Sequence, residues 1–109
     1  MMTRKKAAKR KEIAMKYVEA TNKFIEKACK AGERNDLELL FFYERIIVLL
    51  IEKTNSFGTD FDSCGAMMRH AEVVISYGSQ LKPERHCQLN EMAMEIFRSI
   101  EAGFENCVD

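Results

Sequence analysis

The stretch LELLFFYERIIVLLI, Leu37 to Ile51, decides the fold. Only Glu38, Glu44 and Arg45 interrupt it. Fifteen residues are long for a buried strand, so the stretch predicts a helix. That helix is apolar nearly all round. A surface helix of a small monomer has one apolar stripe and a polar back. The element is therefore either the centre of a bundle or the owner of surface that another molecule covers. The working expectation is the second: a self-association or partner interface built on Phe41, Phe42, Ile46 and Leu50, with Met67 and Met94 from neighbouring helices.

Moving outward, Asn35 or Asp36 is placed to cap this helix, and Asn35 with Glu38 has capping-box spacing. Before it, Ile13, Ala14, Tyr17, Val18, Thr21, Phe24, Ile25 and Ala28 recur at three- and four-residue steps and predict a first helix over 3–31, stopped by Gly32. After it, Thr54 to Thr59 reads as a loop. Thr59 and Asp62 then open a third helix that Gly78 ends, and Pro83 suits the first turn of a fourth with the stripe Leu89, Ala93, Ile96, Phe97, Ile100 and Phe104. The expectation is an all-α, antiparallel up-down-up-down bundle of four helices over 3–31, 36–54, 60–77 and 83–106, forming one domain over residues 1–109. Small residues at Ser63 to Ala66 and at Ser99, Ala102 and Gly103 fall level in such a bundle and predict close approach of the third and fourth helices.

The chain is neutral overall, but residues 1–31 carry a net charge of +7 and residues 32–109 a net charge of −7. Arg4, Lys5, Lys6, Lys9, Arg10 and Lys11 crowd the first helix's N-terminus, where positive charge opposes the macrodipole. Either these turns fray as a basic arm, or something negative lies beside them. Three partners are considered: Glu101, Glu105 and Asp109 at the end of the fourth helix, an acidic protein surface, or nucleic-acid phosphates. No aromatic residue interleaves the cluster to stack on bases, and Asp60, Asp62 and Glu72 oppose a recognition-helix reading of the third helix.

Chemistry is sparse. The residues three before His70 and His86 are Met67 and Pro83, so the Glu-x-x-His pairs of di-iron bundles are missing. A metal set of Cys64, His70, His86 and Cys87 lacks the close ligand pairs of structural zinc. Cys29, Cys64, Cys87 and Cys107 are widely spaced and read as reduced core residues. No phosphate loop or nucleophile elbow is present. Glu44 and Arg45 read as side chains that reach solvent at a helix edge. No cofactor, metal or small-molecule substrate is expected.

No membrane span or export signal is legible, which gives a cytoplasmic expectation. The adjacent Met67/Met68 and the near pair Met92/Met94 require some thioether at the surface. The functional expectation is a non-enzymatic interaction module, such as an adaptor, inhibitor or assembly subunit, that self-associates as a homodimer. The alternative is a small nucleic-acid-associated regulator using residues 3–11.

Overall fold

A computed structural model describes residues 4–57 and 63–105, with side chains described over 8–57 and 67–105. The predicted helix starts at Thr3 and Thr59–Asp62, the side chains of Ser63 to Ala66, and the last four positions, Asp109 included, lie outside these ranges. Four helices are present: α1 (Arg4–Glu33), α2 (Leu37–Ser56), α3 (Ser63–Gly78) and α4 (Pro83–Glu105). The all-α bundle expected from the sequence is the fold observed.

Local chemistry explains most of the boundaries and corrects three of them. Gly32 does not stop α1, which continues to Glu33. The left-handed residue is Asn35, at φ 56°. Asp36 N–H donates to the Ala31 carbonyl (3.0 Å) and Asn35 N–H to the Gly32 carbonyl (3.1 Å), the paired bonds of a Schellman turn with Asn in place of Gly. Asp36 then caps α2, accepting from the Leu39 N–H at 3.1 Å. The expected Asn35–Glu38 box is not formed, because Glu38 is engaged by Arg85 of α4 at 2.6 Å. At the other end, Thr54, Asn55 and Ser56 are helical rather than loop. The Thr54 and Ser56 hydroxyls donate to the Leu50 and Lys53 carbonyls, and Phe57 anchors the exit by packing 5.7 Å from the Tyr17 ring.

The bundle is not a square of four. α2 packs against each of the other three helices, α1 touches α4 only slightly, and α3 and α4 do not lie along one another. Cross-helix pairs give the directions. Arg10 meets Ser56 and Phe24 meets Tyr43, so α1 and α2 are antiparallel. Glu38 meets Arg85, Arg45 meets Asn90 and Lys53 meets Glu101, so α2 and α4 run parallel and in direct contact. Helices two steps apart in an up-down-up-down bundle are parallel and would sit on a diagonal of a square. Here that diagonal has collapsed, because only a central position covers an all-round apolar helix.

The core follows. Tyr17, Phe41, Ile46, Ile47, Leu50 and Ile51 are fully buried. Ala14, Ala28 and Ala31 face them from α1, and their small side chains let α1 lie close along α2. α3 ends at Gly78 as expected, and the position requires glycine because a Cβ there would meet the His86 ring at 2.9 Å and the Phe41 ring at 3.1 Å. The Ser63 to Ala66 half of the predicted close packing of α3 on α4 lies outside the described side chains. Among the described residues, Gly103 has nothing within 4 Å of a would-be Cβ.

The Tyr17 hydroxyl is buried without a hydrogen-bond partner among the described residues. Burial first, then the nearby Glu105 carboxylate, pushes its pKa up from 10.0 to about 12. The folded chain therefore keeps this proton after the unfolded chain has released it, so Tyr17's stabilising contribution is complete below pH 10 and fades as pH rises toward about 12. Tyr17→Phe removes an unpaired hydroxyl and is expected to raise stability by about 1 kcal/mol at neutral pH. It should also flatten part of the alkaline loss. Urea unfolding of both proteins at neutral pH and above pH 10 checks this, and a variant less stable than the parent contradicts it.

Candidate functional site

The structure relocates the surplus apolar surface. Phe41, Ile46 and Leu50, expected at an interface, are each 0% exposed. They are sealed because three helices surround α2, and no partner reaches them without unfolding the chain. Phe42 is half-buried against the core cluster, Met67 packs onto Ile47 and Ile51 with Ala28, and Met94 is half-buried. Among the described residues, the exposed large apolar side chains are instead Met15, Met68, Ile75, Met92 and Ile96. The expectation that some thioether reaches the surface holds, at Met68 and Met92 among others.

Two of these residues belong to one face. Met92, Ile96, Ser99 and Gly103 follow at spacings of four, three and four along α4, beside the inward stripe of Leu89, Ala93, Phe97, Ile100 and Phe104. The apolar arc of α4 is thus wider than its contact with α2 uses. α1 and α4 touch only slightly, and an open groove of about 800 Å³ lies between them. Ala20 and Phe24 line it from α1, and Ile96, Ser99, Ile100, Gly103 and Phe104 from α4. Its α1 rim is Lys16, Lys23 and Lys27, with Glu19 as the one acid. Ser99 and Gly103 supply a floor without bulk. The signal was present in the sequence as the second α4 stripe, but its meaning depends on α4 leaving α1.

Polar residues of α2 have a different use. Glu44 is buried and bonds His70 Nδ1 of α3 at 2.5 Å, while Arg45 donates to the Asn90 side chain of α4 at 2.8 Å. The solvent-edge reading of both is corrected: they tie the central helix to two different neighbours. Lys53 pairs with Glu101 (2.9 Å) and Glu105 (3.3 Å), and the hydrogen bond to Glu101 is the main reason its pKa is raised. Of the three acids considered as partners for the basic N-terminus, Glu101 and Glu105 are engaged by Lys53 of α2, and Asp109 lies outside the described residues.

The basic residues fall into separate settings. α1 is helical from Arg4, so the segment from that residue on is continuous with the helix. The side chains of Arg4, Lys5 and Lys6 lie outside the described residues. Arg10 donates to the Ser56 carbonyl at 3.1 Å and stacks 4.9 Å over the Phe57 ring. A cation at the C-terminal end of α2 is favourably placed for that helix's dipole. Lys9 is half-buried and Lys11 exposed.

Cys29 and Cys87 are exposed free thiols, which corrects the core reading for these two. Cys64 and Cys107 lie outside the described side chains. His86 packs its ring 4.9 Å from Phe41, and His70 is taken by Glu44, so the Cys64–His70–His86–Cys87 set is not assembled from its described members. Among the described residues no three His, Cys, Asp or Glu converge as metal ligands, and no helix is long and apolar enough to cross a membrane. No known family, curated protein or solved structure matches the chain. The groove between α1 and α4 is thus read from its own geometry.

Proposed function

We propose that this protein is a non-enzymatic interaction module, and that its docking site is the α1/α4 groove rather than α2. The observation that carries the reading is the pairing of an open apolar floor with a lysine rim. Ile96 is exposed over the floor and Gly103 has no described neighbour within 4 Å of a would-be Cβ, while Lys16, Lys23 and Lys27 stand along one wall. A groove of this kind takes the apolar face of an amphipathic helix, with small floor residues allowing close backbone approach. The rim selects a helix with acidic residues beside its apolar stripe.

Two synthetic helical peptides test the reading. Both carry the same Leu/Ile stripe, one flanked by Glu and the other by Lys. Fluorescence anisotropy is expected to show the Glu-flanked peptide binding at least about tenfold more tightly, because like charges facing each other across an interface are costly. Gly103→Leu, which fills the floor, is expected to weaken that binding. The proposal is overturned if neither peptide binds, or if Gly103→Leu folds and leaves binding unchanged.

A further inference from the structure

Resting on the docking groove just described, we infer that its occupant is a helix of a different protein, one that carries acids at seven- and four-residue spacing along a single edge of its apolar stripe. The two walls of the groove differ, and the difference sets that pattern. Lys16, Lys23 and Lys27 are spaced by seven and four residues on α1, so they stand in one row about 16 Å long. Among the described residues, none of the three forms an ion pair. The α4 wall, made by Ile96, Ser99 and Gly103, carries no charge. Acids on the α1-facing edge of a docked helix therefore meet cations. Acids on its other edge lose water against Ile96 with nothing to pair with. Ser99 and Gly103 have little side chain, so the docked helix approaches α4 closely and reaches α1 across the lysine stems.

Glu19 fixes the register. It stands between Lys16 and Lys23 on the same wall. Three acids opposite the three lysines leave the level of Glu19 free of negative charge. Sliding the docked helix by one turn in either direction brings one of those acids level with Glu19, where like charges repel.

The described helices of the chain itself do not present such an edge. α2 is enclosed by the other three, and α1 turns its apolar stripe to α2. α3 exposes Met68 and Ile75 but has a single acid, Glu72. α4 exposes Met92 and Ile96, yet its exposed acids Glu84, Glu91 and Glu95 do not line the groove and lie on the side of α4 away from α1. Pairing two α4 helices about a two-fold axis turns that edge away from the lysine wall. A second copy leaves the lysines unanswered, and a separate partner answers them.

Sedimentation velocity of the full chain, with fluorescence anisotropy of synthetic peptides, tests this. Two matched peptides, one for each helix direction, place three Glu at the stated spacing on one edge of a Leu/Ile stripe. The chain alone is expected to sediment as a monomer and to form a one-to-one complex with the tighter matched peptide. A peptide of the same composition with its three Glu split between the two edges is expected to bind at least about fivefold more weakly. A peptide with a fourth Glu at the level of Glu19 is expected to bind about threefold more weakly than the matched one, although it is more acidic. Glu19→Gln is expected to remove that penalty.

A split peptide that binds as tightly as the matched one, or a fourth Glu that tightens binding to the parent, overturns the acid pattern and leaves the groove as a docking site. A chain that sediments as a dimer, and that the matched peptide dissociates, makes a second copy the occupant and overturns the inference in the same way. Binding by none of the peptides overturns the groove reading as well.

Discussion

Ile46→Ala and Leu50→Ala are each expected to lower the stability of the fold by about 2–5 kcal/mol, the range for truncating a large aliphatic side chain in a close-packed core. Both residues are 0% exposed and belong to the same buried cluster as Tyr17, Ala20 and Ala93, so three helices lose a packing partner at once. α2 has no second layer from which neighbours could move in to fill the space. In a chain of 109 residues such a loss is a large part of a typical total stability of about 5–15 kcal/mol. Ile75→Ala on the outer side of α3, where the parent residue is 72% exposed, is the control and is expected to change stability by no more than about 0.5 kcal/mol. Urea titration followed by circular dichroism measures all three. The outcome separates two readings of the same residues, because a helix-two docking surface would lose its partner on truncation while its fold stayed near parental stability.

His70→Ala is expected to cost about 2–3 kcal/mol, below the usual range for breaking a fully buried pair because water reaches part of the histidine ring. The Glu44 side chain is about 10% exposed and that of His70 about 21%, with 2.5 Å between Oε2 and Nδ1. Removing the imidazole leaves a carboxylate facing the packed interior without its partner. The physical claim is that the penalty belongs to the stranded carboxylate rather than to lost packing. Glu44→Leu in the His70→Leu background should therefore recover most of the loss, since replacing both members of a buried polar pair by apolar groups is far milder than removing one. A double-mutant cycle by urea unfolding reads the coupling. Additive single effects would show that the pair does not act as a unit, and a loss under about 0.5 kcal/mol for His70→Ala would show that Glu44 finds solvent instead.

Both results bear on how α2 selects its neighbours. Its apolar positions are nearly interchangeable around the helix and carry little directional information. The few polar side chains do carry it: Glu44 reaches α3, and Glu38, Arg45 and Lys53 reach α4 at successive levels. The exposed pairs each contribute only about 0–1 kcal/mol. Their effect lies in register and orientation, since a helix slid by one turn would place these groups against apolar surface.

Sequence alone determined the helical class, the number of helices and most of their limits, because three- and four-residue apolar spacing, Asp36 as a cap and Pro83 in a first turn act within a few residues of chain. It also determined that α2 had to be covered and that some methionine had to be exposed, since both follow from counting apolar faces on a cylinder. Tertiary structure alone decided what covers α2. Phe41, Ile46 and Leu50 look the same in sequence whether three helices of one chain or a second molecule hides them. The same holds for the charges. Glu101 and Glu105 pair with Lys53, and Lys16, Lys23 and Lys27 stand beside an apolar gap, because α4 lies directly along α2 and touches α1 only slightly. Spacing along one helix says which residues share a face. Which face meets which depends on how the volumes of all four helices pack together, and no local stretch of chain contains that.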